Sequence, residues 1–223
     1  MFAVIFLVQP KSGRMDGYLE LAKFLKPSLE KIDGFIDNER FGSRRAEGRL
    51  LSLSTWRDEK ALIRWRTLAA HHAVQEKGRF EIFADYHLRV GEIVADTHHC
   101  KGQALREQRF DTTEVGEAKA ATISELTPMG GTTPKGVNLA AGLGLSREGA
   151  SGMIDQEVFE SIYTPGKLLL LALWKDASMA SRWEPKATTA GDLRHRRVRI
   201  IRDYGMRDRR EAPQYYPAVP EVS

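Results

Sequence analysis

Cysteine is almost absent from this chain. Cys100 is the single one in 223 residues, so no internal disulfide can form and a reducing compartment suits the composition. Long apolar runs are missing as well, since none approaches the ~20 residues that cross a bilayer. The opening "MFAVIFLVQPK" has no basic residues ahead of its apolar stretch and no cleavage site behind it, so it reads as a first strand. These absences predict a cytoplasmic protein without a membrane partner. Nucleic-acid signals are equally scarce: there is no zinc-ligand spacing, no recognition helix and no RNP-type aromatic set. The formal net charge is only +4, and much of the excess falls in "RHRRVRIIRDYGMRDRR". Arginines interleaved with Val198, Ile200 and Ile201 suit a basic edge strand, where charge discourages edge-to-edge pairing, better than a nucleic-acid patch. "DTHHC" around Cys100 reads as plain connector, because adjacent side chains seldom converge on one ion. "GLGLSREG" from Gly142 does not follow a strand, as a phosphate loop should.

What is present is a self-similarity. "GFIDNERFGSRRAEGRLLSLSTW", Gly34 to Trp56, returns as "GMIDQEVFESIYTPGKLLLLALW", Gly152 to Trp174, displaced by 118 positions. At the same offset Pro10 meets Pro128, Leu21 and Ala22 meet Leu139 and Ala140, Leu25 meets Leu143, Asp58 meets Asp176, and Trp65 meets Trp183. No gap is needed from Ala3 to Trp65. An internal repeat of this kind is read before any local pattern, because it fixes the architecture. The expected organisation is a first repeat over 1–96, a connector over 97–117 crossing the surface, a degenerate second repeat over 118–206 and a tail over 207–223.

Within the first repeat, Phe2 to Gln9 is a strand stopped by Pro10. Arg14 to Ile32 repeats Tyr18, Leu21, Ala22, Leu25, Leu29 and Ile32 at helical spacing, and Pro27 predicts a kink or early stop near Lys26. Phe35–Ser43 and Arg49–Trp56 form a hairpin about "RRAEG". A second helix is expected from Asp58 to about Lys77, its inward stripe including Ala61, Leu62, Trp65, Leu68, Ala69 and His72. Phe80 to Asp96 reads as the last strand. This β-α-β-β-α-β order is ferredoxin-like, with helices on one face of a four-stranded antiparallel sheet. "RLLSLSTW" and "KLLLLALW" are nearly continuously apolar where a strand with one wet face would alternate. The fold class expected is therefore α+β: two ferredoxin-like repeats whose antiparallel sheets pack face to face as an intrachain dimeric α/β barrel. A further homodimer of full chains stays open.

After Trp183 the repeats diverge. Pro185 and Gly191 interrupt the second helix, and the last strand arrives 11 residues early, with Asp203 answering Asp96. A pocket between second helix and sheet should thus survive in the first repeat and be reduced or reshaped in the second.

"GFIDNERF", "GRLLSLSTWRDEKALIRWR", "HHAVQEKGR" and "FADYHLRVGEIVAD" resemble the antibiotic biosynthesis monooxygenase family over nearly all of residues 2–96. That resemblance implies one of several functions: cofactor-free oxidation of polycyclic phenols by O2, haem degradation, or ligand binding without turnover. In the cofactor-free case a base takes a proton from an electron-rich aromatic and the resulting anion reduces O2, inside an apolar cavity. Haem-degrading members carry their iron-binding histidine ten residues after the second tryptophan, where this chain has Gln75, so haem is the weaker reading. The expected partners are a small aromatic substrate and O2, with no cofactor and no metal. A non-catalytic binding or stress module of the same fold is the rival; a ligand that raises the melting temperature without drawing oxygen would favour it.

Two adjacent histidines compete for the base. His72 is nearly in phase with Trp65 and should face the sheet, whereas His71 matches the histidine of the family's usual "WR…H" run; both titrate near neutrality when unperturbed. A surface or satisfied core histidine is the plain alternative for either. Trp65 lines the pocket or fills the core, and its recurrence as Trp183 without the histidines favours the core. Asn38 and Arg40 share one face of their strand and could orient a phenol oxygen, though an exposed strand end explains them nearly as well. Tyr86 belongs to the segment that the second repeat shortens, which links it to the pocket.

Overall fold

The structure is a computed structural model that describes residues 1–99, 105–130, 138–146 and 151–219. Its elements are β1 Phe2–Pro10, α1 Met15–Glu30, β2 Phe35–Ser43, β3 Leu50–Trp56, α2 Glu59–Thr67, α3 Ala69–Lys77, one π-helical turn Gly78–Ile82 and β4 Phe83–Asp96, followed by β5 Ala120–Pro128, α4 Leu139–Gly142, β6 Met153–Ser161, β7 Leu168–Trp174, α5 Ala177–Arg182 and β8 Gly191–Gly205. All paired strands are antiparallel, and they close into one barrel in the order β1-β3-β2-β6-β7-β5-β8-β4. The halves are therefore more than two stacked sheets: β4 pairs with β8 from His87↔Gly205 to Asp96↔Arg196, and β2 pairs with β6 from Phe41↔Ser161 to Ser43↔Phe159.

Alternation along the strands sorts the apolar residues between two environments. Ile5, Leu7, Leu51, Leu53, Leu169, Leu171, Leu173 and Ile200 fill the barrel interior with Phe41 and Phe159. On the outer face, Phe2, Trp56 and Val90 pack against Leu62 of α2, and Leu168, Leu170 and Trp174 belong to one cluster with Leu139 of α4 and the adjoining Leu143. The near-continuous apolar run of β7 follows, since every residue from Leu168 to Trp174 is buried.

Registers in the two halves correspond. Phe2 faces Trp56 and Val8 faces Leu50, as Ala120 faces Trp174 and Leu126 faces Leu168. Asp58 caps α2 through the Ala61 N–H and Asp176 caps α5 through the Met179 N–H, each at 2.8 Å.

Several expectations need correction. Helix α1 runs through Pro27 to Glu30 without stopping at Lys26. The second helix is not continuous to Lys77: Leu68, at φ −63° and ψ 126°, breaks it into α2 and α3. β4 begins at Phe83, after the π-helical turn, and not at Phe80. β8 is no edge strand, because it pairs on both sides. Its arginines meet carboxylates of neighbouring segments: Arg194 with Asp96 at 2.7 Å, Arg196 with Glu125, and Arg199 with Glu92 at 3.1 Å. Nor does the connector merely cross the surface. The N–H groups of Gln108 and Arg109 donate to the buried Glu92 carboxylate, at 2.6 and 3.0 Å, and Leu105 packs against the barrel core. Cys100 lies outside the described residues; His98 of the same stretch pairs with Asp192 at 2.9 Å. Of "GLGLSREG", only Gly142 to Ser146 lie within the described residues, and Gly142 ends α4. No helix among the described residues is long and apolar enough to cross a membrane.

Candidate functional site

A cavity of about 210 Å³ lies between the outer face of β1–β4 and the helices α1, α2 and α3. Side-chain size on β3 explains why it is here. Ser52 and Ser54 face it, whereas the matching positions on β7 are Leu170 and Ala172, buried beneath α4 and α5. Val4 and Phe6 of β1, Leu25 and Leu29 of α1, and Trp56 of β3 give it an apolar floor and walls.

Leu68 decides which histidine reaches this space. An unbroken helix would carry the Trp65 phase on to His72, but the extended backbone at Leu68 restarts the helix with a different face turned inward. His71 lines the cavity and His72 does not: His72 is exposed and stacks on Tyr216, with ring centroids 5.4 Å apart. The expectation that His72 faces the sheet is thereby overturned. His71 stacks on Trp65 at 4.0 Å, with an interplanar angle of 19°. Its Nδ1 lies 3.0 Å from the Trp65 carbonyl oxygen, which can only accept, so Nδ1 carries the proton and Nε2 keeps its lone pair. Burial drives the His71 pKa down to about 4, against the pull of that carbonyl and with a small push from His72. The imidazole is neutral at physiological pH.

Of the other residues singled out in the sequence, Asn38, Arg40, Trp65 and Tyr86 all line the cavity. The Asn38 amide donates to Ser52 Oγ and to the Leu53 carbonyl, both at 3.0 Å, which fixes it across the hairpin. Arg40 donates to the hydroxyls of Tyr18 and Tyr163, both at 3.3 Å, and Tyr163 belongs to the β6–β7 turn. Tyr86 accepts from Arg79 at 3.1 Å and from Arg209 at 2.6 Å.

Sequence reading missed Arg66, Arg79, Tyr204, Arg209, Gln214 and Tyr216, which also line the cavity. Arg79 sits on the π-helical turn, whose tight approach requires Gly78: a Cβ there would come within 2.7 Å of the Phe83 ring. Arg66 belongs to α2, and the other four lie beyond residue 200, so the second half and the tail complete a site whose floor belongs to the first. Nothing in local periodicity could reveal that; only the barrel's closure brings β8 beside β4.

Gln75 occupies the place where haem-degrading enzymes keep their iron-binding histidine, and its Oε1 accepts the Tyr216 hydroxyl at 3.2 Å. An amide so engaged does not fit an axial ligand. Among the described residues no cluster of three His, Cys, Asp or Glu could hold a metal ion.

Comparison with known proteins places these features. The sequence profile of a family described as "Antibiotic biosynthesis monooxygenase" matches residues 1–77. Over 222 residues the chain is 44% identical to a protein named jasmonate monooxygenase ABM from Pyricularia oryzae, covering 97% of this chain and 99% of that one. It is 34% identical over 92 residues to the uncharacterized protein YqjZ of Bacillus subtilis, covering 41% of this chain and 78% of that protein. Among solved structures, an aldoxime dehydratase superposes with a TM-score of 0.52 at 11% identity, covering 90% of this chain and 81% of that one, a likeness of fold alone.

Proposed function

The chain belongs to the antibiotic biosynthesis monooxygenase family, and we propose that it oxidises a small, largely apolar organic substrate with O2, held in the cavity beneath α1–α3. The observation that carries this reading is His71: a neutral imidazole at the wall of an apolar cavity, with its tautomer set by the Trp65 carbonyl and a lone pair left on Nε2. Such a group serves as proton acceptor, and Asn38, Arg40 and Tyr86 position the substrate oxygen. Because burial holds its proton affinity low, His71 accepts a proton only as negative charge on the substrate is stabilised nearby, which the Arg40 guanidinium supplies. We read residues 1–96 and 118–206 as two copies of one unit joined by 97–117, the second copy serving as scaffold; the matching registers and caps support this.

The activity named for the Pyricularia oryzae relative makes jasmonate the first substrate to try. A polycyclic quinol oxidised without any cofactor is the second reading, favoured by the aromatic walls Phe6, Trp56, Trp65 and Phe83. The electron count separates them. O2 takes four electrons when one atom enters the product and the other leaves as water. A phenol whose ring methylene becomes a carbonyl supplies all four; hydroxylating one C–H of jasmonate supplies two, so a reductant must provide the rest.

The test is oxygen uptake by metal-stripped protein with jasmonate and with polycyclic quinols, each with and without an added two-electron reductant. His71→Asn should lower turnover by roughly 10²–10⁴-fold, the usual worth of a positioned general base, and His72→Ala should leave it within about twofold. Full turnover by His71→Asn would remove the base. Ligand-induced stabilisation with no uptake under any condition would favour the binding module.

A further inference from the structure

Resting on the reading above, we propose that the cavity takes its substrate as an anion, and that Arg66, Arg79 and Arg209 grip the carboxylate beside Tyr86. Charge composition is the first ground. Four guanidinium groups line the cavity, those of Arg40, Arg66, Arg79 and Arg209, and no aspartate or glutamate does. None of the four lies within ion-pair distance of a carboxylate among the described residues.

Other buried arginines show how unusual this is. Arg89 pairs with Asp203 at 2.8 Å, and Arg196 pairs with Glu125. A buried cation without a counter-charge is costly, and ordinarily a carboxylate repays it. Arg79 is only 2% exposed, yet its partners among the described residues are all neutral: the Met206 carbonyl at 2.6 Å, the Tyr86 hydroxyl at 3.1 Å and the Pro217 carbonyl at 3.2 Å. Arg209 is likewise held by neutral groups, the Tyr86 hydroxyl and the Gln214 carbonyl at 2.9 Å, and lies over the rings of Tyr204 and Tyr216.

Geometry is the second ground. Arg79 and Arg209 converge on one phenol oxygen, and Tyr86, having accepted from both, still has its own hydroxyl proton to donate. Among the described residues the Arg66 side chain has no hydrogen-bond partner, its buried Nε included. The Gln214 amide fixes its backbone, donating to the Arg66 carbonyl at 3.3 Å. A planar guanidinium at the wall of a largely apolar cavity matches the two oxygens of a carboxylate. The apolar floor takes the hydrocarbon body, and the grip comes from α2, the π-helical turn and the tail.

Calorimetric titration decides it, with two acid–ester pairs as probes: jasmonate against methyl jasmonate, and 1-naphthaleneacetate against its methyl ester. In at least one pair the acid should bind at least about tenfold tighter than the ester, the worth of one hydrogen bond to a charged group. Arg66→Gln should erase most of that preference while keeping ester affinity and melting temperature; Arg106→Gln, on the exposed connector, should keep the preference. Esters binding as well as acids, no acid binding at millimolar concentration, or a preference that survives Arg66→Gln overturns the proposal. These readouts need no turnover, so an acid that binds by this pattern without drawing oxygen would leave the anion site standing, while the oxygen-uptake panel decides the enzymatic reading separately.

Discussion

Burial sets the protonation of two histidines, and that makes the fold sensitive to mild acid. His71 and His195 are each pushed down to about 4 from the usual 6.5, mainly by desolvation; in His195 the neighbouring Arg197 adds to it. His195 is 3% exposed, and Ser124 Oγ lies 2.8 Å from its Nδ1. An unfolded chain protonates both near pH 6.5, while the folded chain keeps them neutral to about pH 4. Between those values the unfolded state binds more protons, so stability is complete above the upper value and falls as pH drops, by up to about 1.4 kcal/mol per pH unit for each histidine. Carboxylates such as Asp96, held low by Arg194 against the cost of burial, act below this window. Thermal melts should decline steadily from pH 6.5 to 4, and the His71→Asn/His195→Asn double variant should flatten that decline; an unchanged slope would mean neither histidine is buried as a neutral group. At this scale the sequence made Asn38 and Arg40 legible as candidates because they share one face of a patterned strand, and Tyr86 because its segment is the one shortened after Trp183. It misassigned His72 because one non-helical residue, Leu68, changes the face that every later residue presents.

Elements meet tightly where β4 pairs with β8. A Cβ on Gly91 would stand 2.3 Å from Val198 Cγ1 and 2.6 Å from the Arg199 carbonyl oxygen, and backbone cannot step aside cheaply. Gly91→Ala should therefore cost about 1–3 kcal/mol, lowering Tm by several degrees at roughly 2–4 °C per kcal/mol. Gly17 on α1 is the contrasting case. Its Cβ would meet only Ile82 Cδ1, at an ordinary 3.7 Å, so Gly17→Ala should raise stability by about 0.4–1 kcal/mol through helix propensity and a less free unfolded chain. Differential scanning calorimetry on the two variants checks both signs. The hairpins, α1 and the barrel strands were readable from periodicity and turn residues. The π-helical turn was not, since its five residues fit a helix end or a strand start equally well and only the packing of Gly78 against Phe83 selects between them.

For the molecule as a whole, closure joins the halves through two seams of unequal length, β4·β8 and β2·β6. A chain cut between Thr112 and Ala118 should give halves that co-purify when co-expressed. The first half alone should fail to bind the acids tested above, because Tyr204, Arg209, Gln214 and Tyr216 come from the other piece. Two well-behaved monomeric halves in size-exclusion chromatography would refute the barrel as the source of stability. By itself the sequence determined the α+β class and the apolar faces that the strands and helices bury, because those follow from period-2 and period-3.6 patterns, and its 118-residue offset pointed to two like units. Tertiary structure alone decided that the strands form one closed ring, that Arg194, Arg196 and Arg199 of β8 meet carboxylates, and that four residues past position 200 complete a cavity founded on residues 4–90. The reason is range: local patterns record which face of an element is apolar, whereas the partners of a buried charge lie on strands far apart in the chain and are fixed only when the barrel closes.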